Sequence, residues 1–202
     1  LAPQPQPQGV MVVGVPRVTD LLNMLNGFND RLTLSAFECF SDLALQKVQA
    51  HRGLPAPLEN RVENYALLEF DETDLPKAEE AFADCMEQGW LVDGVVSQSQ
   101  AQAASLWQLR EGISESLAPY TPYKNDLSVR ISEVPTFLAD VDRYVKEGYP
   151  DFEVCWYGHI GDGNLHLNIL QPDSLSVDEF FHVCRPMRPT ICELVLSRQV
   201  SI

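Results

Sequence analysis

The segment WYGHIGDGNLHLNI, residues 156–169, constrains the fold of this chain more than any other. An Asp-Gly pair flanked by alternating apolar and polar residues is the strongest short signal of a β-hairpin, and it places Asp162 and Gly163 at the centre of a two-residue type I′ turn. In that register His159 lies opposite His166. Directly opposed residues have Cβ atoms ~4.5–5.5 Å apart and point to the same side of the sheet. The segment therefore predicts two histidines side by side on one face of a hairpin.

The two faces of this predicted hairpin differ in polarity. One face carries Trp156 and four aliphatic side chains and is expected to join the core, whereas the other carries the two histidines, with Tyr157 opposite Asn168. Two opposed imidazoles can bind one metal ion, and zinc is the first expectation because it takes nitrogen ligands at ~2.0–2.1 Å. Asp162 is expected to shape the turn rather than to bind the metal. The alternative is a hairpin whose histidines face solvent and bind nothing. Because the hairpin itself places no third ligand beside them, a catalytic metal site is incomplete on these residues alone.

A second informative segment is LWQLREGISESLAPYTPYKNDLSVRIS, residues 106–132. Arg110 and Ser114 are four residues apart on a predicted helix and so share one of its faces. Lys124 stands just before the next predicted strand. An arginine that grips a carboxylate with two hydrogen bonds, a hydroxyl and a second cation suit an anionic substrate, in particular a dicarboxylate. The alternative is that Arg110 pairs with a neighbouring glutamate of its own helix, Glu111 or Glu115, while Lys124 is solvated.

Hydrophobic periodicity along the rest of the chain predicts alternating strands and helices. No glycine-rich phosphate loop follows any predicted strand, which excludes a dinucleotide-binding doubly wound fold. We therefore predict an α+β fold of ferredoxin-like β-α-β units, with an antiparallel sheet and helices on one face, and we consider a duplication of this unit although the sequence shows no clear repeat. The predicted strands are 10–15, 33–40, 65–72, 92–99 and 126–131, and the predicted helices are 18–25, 41–48, 75–89, 102–117, 134–146 and a proline-interrupted helix at 177–196.

Composition narrows the classes of partner. The net charge of −15 argues against nucleic acid or an anionic membrane surface, because either would repel the chain. No run approaches the ~20 apolar residues of a membrane span. The five cysteines form no Cys-x-x-Cys pair, which favours reduced, mostly buried thiols and a cytoplasmic or similarly reducing compartment. Residues 1–9, LAPQPQPQG, are typical of a linker.

Four segments together resemble a known family. They are LSAFECFSDLAL (34–45), LWQLREGISESL (106–117), YKNDLSV (123–129) and GHIGDGNLHLNI (158–169). They are similar to the C-terminal domain of FAD-linked oxidases, flavoenzymes of the vanillyl-alcohol-oxidase type. The nearest branch oxidises D-2-hydroxy acids and contains the D-2-hydroxyglutarate, D-lactate and glycolate dehydrogenases. The resemblance extends from about Val10 through essentially the whole chain.

The resemblance implies roles for particular residues. His159 and His166 match the two metal-binding histidines of the family, and Asn168 matches an asparagine beside the substrate. Arg110 and Lys124 match residues that hold substrate carboxylates, and Ser114 stands where a threonine or serine assists them. In such enzymes a divalent metal polarises the substrate's hydroxyl and carboxylate, a base removes the hydroxyl proton, and hydride passes to FAD.

The resemblance also implies a division of the longer protein. Residues 1–9 would be a linker from an FAD-binding domain, and residues 10–202 a substrate- and metal-binding domain truncated at its C-terminal end. The third metal ligand and the catalytic base are expected beyond residue 202, so no catalytic residue is assigned here and the isolated chain is expected to be inactive. The surface that the FAD-binding domain would cover is expected to be apolar, which favours a homodimer.

The resulting hypothesis is one domain of an FAD-dependent dehydrogenase that oxidises a small 2-hydroxy acid, cytoplasmic in bacteria or mitochondrial in eukaryotes. Two alternatives stay open. One is a non-catalytic interaction module whose acidic surface binds a basic partner. The other is a metal-dependent hydrolase that uses the same two histidines, although it would need a third ligand and a general base that the sequence does not place.

Overall fold

A computed structural model describes residues 7–199. Seven strands form one sheet in the order β4-β1-β3-β2-β6-β7-β5, and every neighbouring pair is antiparallel. The strands are β1 (Gln8–Val15), β2 (Leu34–Ser41), β3 (Asn64–Asp71), β4 (Asp93–Val96), β5 (Tyr123–Ser128), β6 (Glu153–His159) and β7 (Asn164–Leu170). The helices are α1 (Asp20–Asn29), α2 (Asp42–Arg52), α3 (Leu75–Glu87), α4 (Gln100–Glu111), α5 (Ile113–Leu117), α6 (Val134–Gly148), α7 (Val177–Cys184) and α8 (Met187–Gln199).

The strand order contains a ferredoxin-like unit and the beginning of a second one. The elements β1-α1-β2-β3-α3-β4 have the sheet order 4-1-3-2 of a ferredoxin-like unit, with α2 inserted between β2 and β3. The elements β5-α6-β6-β7-α7 follow the same sequence, and β5-β7-β6 corresponds to β1-β3-β2. We call these two sets of elements the first and the second ferredoxin-like run. The two runs meet where β2 pairs with β6. The predicted α+β class and ferredoxin-like units are thus confirmed, and the topology has the internal repetition that we considered.

Helices cover both faces of the sheet, rather than the single face that we predicted. One core holds α1, α3, α6, α7 and α8 against strand residues such as Met11 and Leu68, and the other holds α2, α4 and α5 against residues such as Val12 and Leu67. The reason lies in the central strands. Residues 9–15 of β1 are all buried, so both of its faces need an apolar cover.

Most element boundaries follow local signals. Ser41 caps α2, as predicted, and its Oγ accepts hydrogen bonds from the backbone N–H of Ala44 and of Trp156, both at 3.3 Å. The predicted helix 102–117 is divided at Gly112 into α4 and α5. The strand predicted at 126–131 lies three residues earlier, because the chain leaves β5 at Val129, whose N–H donates to Gly163 O at 3.1 Å.

The predicted linker and the predicted truncated end lie partly or wholly outside the residues that the structure describes. Of the predicted linker, residues 1–6 lie outside the described part of the chain, whereas Gln8 and Gly9 belong to β1. Residues 200–202, at the predicted truncated end, also lie outside it.

The cysteines are free and mostly buried, as predicted. Four of the five are buried, and Cys192 is exposed. Among the described residues, no helix has the length and apolar character needed to cross a membrane.

Candidate functional site

The histidine hairpin forms with a longer turn than predicted. Four residues connect β6 and β7, because Ile160–Asp162 make a turn of 3₁₀-helix that ends at Gly163 with φ 74°. His159 therefore pairs with Asn164, and Tyr157 pairs with His166. The predicted register, with His159 opposite His166, is wrong by two residues. Ile160 is fully buried within this longer turn.

The shift of two residues leaves the two faces of the hairpin as predicted, since side chains alternate with a period of two. The histidines lie diagonally on the polar face, with ring centroids 6.1 Å apart. The ring of Tyr157 lies against that of its cross-strand partner His166, with the two centroids 4.8 Å apart. Asp162 shapes the turn, as expected, because its Oδ1 accepts a hydrogen bond from the Asn164 N–H at 3.0 Å.

A cavity of about 470 Å³ brings all six predicted site residues together. They are Arg110, Ser114, Lys124, His159, His166 and Asn168. Tyr157, which we expected on the same polar face, also lines the cavity, together with four residues that we did not predict: Glu38, Trp107, Glu111 and Asp126. The cavity spans the junction of the two ferredoxin-like runs, since Glu38 is on β2 and the histidines are on β6 and β7.

Glu38 is at the centre of the polar contacts in this cavity. It is 4% exposed, and its Oε2 accepts a hydrogen bond from Arg110 Nε at 2.8 Å. Its other oxygen, Oε1, contacts His159 Nδ1, and the two residues are direct cross-strand partners in β2 and β6. Arg110 is 8% exposed and also lies over the Tyr157 ring, 4.6 Å from its centroid. Arg110 thus pairs with neither glutamate of its own helical segment.

The second histidine has a matching carboxylate. His166 Nδ1 lies 2.6 Å from Asp126 Oδ1, and these residues are direct cross-strand partners in β7 and β5. Each imidazole therefore directs Nδ1 to a carboxylate, an arrangement that leaves Nε2 as the atom for binding a metal ion. Within residues 7–199, no group of three or more His, Cys, Asp or Glu side chains is arranged to hold a metal.

The other predicted residues surround this pair. Lys124 pairs with Asn168 across β5 and β7. Asn168 is 2% exposed and its Nδ2 donates to the backbone oxygen of His166 at 3.4 Å. Ser114 is on α5, and it still faces the cavity because the helical path continues across Gly112, where the Ser116 N–H donates to the Gly112 oxygen at 3.0 Å.

Carboxylates outnumber cations in the lining of the cavity. Arg110 and Lys124 contribute two positive charges, and Glu38, Glu111 and Asp126 contribute three negative ones, so the lining carries 2 − 3 = −1 with both histidines neutral. A divalent cation bound there would make the net charge +1. An anionic substrate would then be attracted rather than repelled.

A larger cleft of about 660 Å³ lies elsewhere, beside the start of α2 and along α6. Both of its cations are paired, Arg61 Nε with Asp42 at 3.2 Å and Lys146 Nζ with Asp142 at 2.7 Å, and its lining contains no histidine. We therefore place the candidate site at the histidines.

The sequence contains a signal that Glu38 needs a charged partner, but no comparable signal for Asp126. Glu38 is the single charged residue in β2, LSAFECFS, and a charge within an apolar strand needs a partner when it is buried. That signal predicts an ion pair but does not identify Arg110 or His159, which are 72 and 121 residues away. Asp126 is one of several polar residues in YKNDLS, so nothing distinguishes it.

Comparison with known proteins identifies related chains. Residues 4–182 match the family described as FAD linked oxidases, C-terminal domain. A D-2-hydroxyglutarate dehydrogenase of Stutzerimonas stutzeri (strain A1501) is 50% identical over 202 residues, which cover 98% of this chain and 44% of that protein. One of Xanthomonas citri pv. viticola is 51% identical over 187 residues, covering 91% and 39%. A putative mitochondrial D-lactate dehydrogenase of Schizosaccharomyces pombe is 32% identical over 182 residues, covering 82% and 35%.

These relatives are longer than the present sequence, which spans less than half the length of each. Among solved structures, an alkyldihydroxyacetonephosphate synthase superposes with a TM-score of 0.51 at 10% identity. The match covers 96% of this chain and 40% of the synthase. A likeness at that identity shows the fold alone.

Proposed function

This chain belongs to the family of FAD linked oxidases, C-terminal domain, and on that premise we propose that it is the substrate- and metal-binding domain of a D-2-hydroxy acid dehydrogenase. The substrate we favour is a dicarboxylate such as D-2-hydroxyglutarate, which would be oxidised to the 2-oxo acid. FAD would supply the hydride acceptor. We assign no residue of this chain to FAD, which we expect to be bound mainly by another domain of the longer protein.

The observation that carries this proposal is the meeting of two imidazoles and two cations in one cavity. Arg110 donates through Nε to Glu38, and a guanidinium has further N–H groups with which to bind a substrate carboxylate. Lys124 supplies a second cation from β5, and Asn168 and Ser114 supply an amide and a hydroxyl. This set of donors orients an anion with two carboxylates. The names of the two relatives that are about half identical to the chain agree with such a substrate.

We propose that His159 and His166 hold a divalent metal ion through their Nε2 atoms, and that this ion is zinc, which matches nitrogen ligands. A bound ion of this kind would polarise the substrate hydroxyl and carboxylate. The −1 charge of the lining supports this proposal, because without a cation the cavity would repel a dicarboxylate. The remaining metal ligand and the base that accepts the hydroxyl proton would come from outside residues 7–199.

The experiment that tests the proposal is metal analysis of the full-length protein by mass spectrometry, beside His159→Ala and His166→Ala variants. We expect about one zinc per chain in the parent protein and loss of that zinc in either variant, together with loss of hydroxy-acid-dependent dye reduction. His182→Ala is the matched control, since His182 is exposed on α7 and lies outside the cavity. Variants that keep their metal and their activity would refute the metal site.

We propose a reducing compartment for the protein, the bacterial cytoplasm or the eukaryotic mitochondrion. The four buried free thiols support this, and the fission-yeast relative is mitochondrial by name. The homodimer expected from the sequence stays a prediction.

A further inference from the structure

Glu38 contacts both parts of the proposed site at once. It lies on β2, in the first ferredoxin-like run, and its side chain is 5% exposed. One oxygen accepts from Arg110 of α4, and the other contacts His159 of β6, in the second run. Tyr157 also contacts a cation and a histidine of the cavity, Arg110 and His166, but through its ring, whereas Glu38 does so through its two carboxylate oxygens.

We propose that Glu38 is a positioning residue that fixes the proton of His159 on Nδ1 and so prepares Nε2 to bind the metal. This inference rests on the proposed function, because it assumes that His159 is a ligand. An ionised carboxylate can only accept hydrogen bonds, so a neutral His159 that bonds to it must carry its proton on Nδ1. The lone pair is then on Nε2, the remaining ring nitrogen.

Arg110 keeps Glu38 suited to this task. The hydrogen bond from Arg110 Nε to Oε2 is 2.8 Å long and almost excluded from solvent, so it fixes the orientation of the carboxylate. In that orientation the other oxygen, Oε1, is directed at His159 Nδ1. Asp126 faces His166 in a similar way, but its side chain is 78% exposed, so water competes for that contact. We therefore expect Glu38 to matter more than Asp126 for metal binding.

Glu38→Gln tests this role because it keeps the shape and removes the charge. If the amide oxygen still accepts from Arg110, the amide N–H₂ faces His159 and donates to Nδ1. The imidazole proton then moves to Nε2, and the metal can bind there only after that proton has returned to Nδ1 and the new hydrogen bond has been lost. We expect the zinc affinity of the full-length protein, measured by competition with a chromophoric chelator, to fall about 10- to 100-fold. Glu153→Gln is the matched control, since Glu153 is an exposed residue of the same strand as His159.

A second measurement needs no variant at position 38. In the metal-free parent protein above the titration of its histidines, a long-range ¹H–¹⁵N spectrum distinguishes the two imidazole tautomers, and the His159→Ala spectrum assigns the signal. We expect His159 to carry its proton on Nδ1. A purely structural role for Glu38 does not require this tautomer. This measurement decides the question if circular dichroism shows that Glu38→Gln does not fold.

The outcomes separate this inference from the function on which it rests. A parent protein whose zinc is lost in His159→Ala but kept at full affinity in Glu38→Gln would overturn the role of Glu38 alone, as would a proton on Nε2 of His159. A parent protein whose metal content is unchanged by His159→Ala would overturn the metal site and this inference with it.

Discussion

At the scale of single residues, the two cations of the cavity have different surroundings. Arg110 is buried and its charge is balanced by Glu38. Lys124 is exposed, and in the described part of the chain it has no carboxylate within ion-pair distance. In the proposed function, the charge of Lys124 is therefore the one available to the second carboxylate of a dicarboxylate, and it should decide between dicarboxylates and monocarboxylates.

We expect Lys124→Met to weaken the use of D-2-hydroxyglutarate while having little effect on D-lactate. A hydrogen bond to a charged group contributes about 1.5–3 kcal/mol. Because each 1.4 kcal/mol is a factor of about ten, the KM for D-2-hydroxyglutarate should rise roughly 10- to 100-fold. Steady-state dye reduction with both substrates measures this. Lys47→Met is the control, since Lys47 pairs with Glu153 outside the cavity. Equal losses on both substrates would show that Lys124 does not select the dicarboxylate.

From spacing alone, the sequence groups residues of this site only where they are close to one another along the chain. Arg110 and Ser114 are four apart on a helical path, and the histidines flank one turn, so their grouping could be predicted. Glu38 could not be placed, because its contacts with Arg110 and His159 depend on which strands become neighbours in the sheet. The same holds for Asp126, which meets His166 only because β5 pairs with β7.

At the scale of elements, the β6–β7 turn shows how a correct face can accompany a wrong register. A turn of two residues and one of four give the same alternation, because the registers differ by two residues. The sequence thus predicts the polar face but not the pairing. The structure adds a constraint on Gly163, which has φ 74° and whose Cβ, if it were present, would lie 2.0 Å from the backbone oxygen of Val129.

We expect Gly163→Ala to destabilise the hairpin strongly and Gly161→Ala to have little effect. A residue other than glycine at positive φ costs about 1–3 kcal/mol, and the contact with Val129 requires the backbone to move as well. Gly161 is in the same turn, but a Cβ there meets nothing within 4 Å, so its replacement should change the free energy of unfolding by less than about 0.5 kcal/mol. Urea unfolding of both variants measures the difference. Similar losses in the two would contradict the turn described here.

At the scale of the whole molecule, the sheet is continuous across two ferredoxin-like runs. Three residue pairs join β2 to β6, from Glu38↔His159 to Phe40↔Tyr157. Both cores cross this junction, since one contains Phe37 and Leu165 and the other contains Phe40 and Tyr157. Local sequence patterns predict the order of elements along the chain. They do not predict this junction, because it pairs strands that are more than 100 residues apart.

Because each core includes side chains from both runs, we expect residues 1–202 to unfold in a single transition. Trp90 lies between α3 and β4 of the first run, and Trp156 lies in β6 of the second. Both tryptophans pack against the same core. Two variants, one retaining only Trp90 and the other only Trp156 with phenylalanine at the other tryptophan positions, allow each run to be followed by fluorescence in urea. In each variant, the urea midpoint followed by tryptophan fluorescence should coincide with the midpoint followed by circular dichroism.

Phe40→Ala makes this prediction sharper. Phe40 is fully buried at the junction and stacks on Tyr65, with ring centroids 5.7 Å apart. Its loss should cost about 3–5 kcal/mol, the usual range for a buried phenylalanine. In a single cooperative unit that loss lowers the Trp90 and Trp156 midpoints together, although Phe40 itself is in the first run. A shift of the Trp90 midpoint alone would mean that the two runs unfold separately. The site at their junction could then open without global unfolding, because the side chains that line it come from both runs.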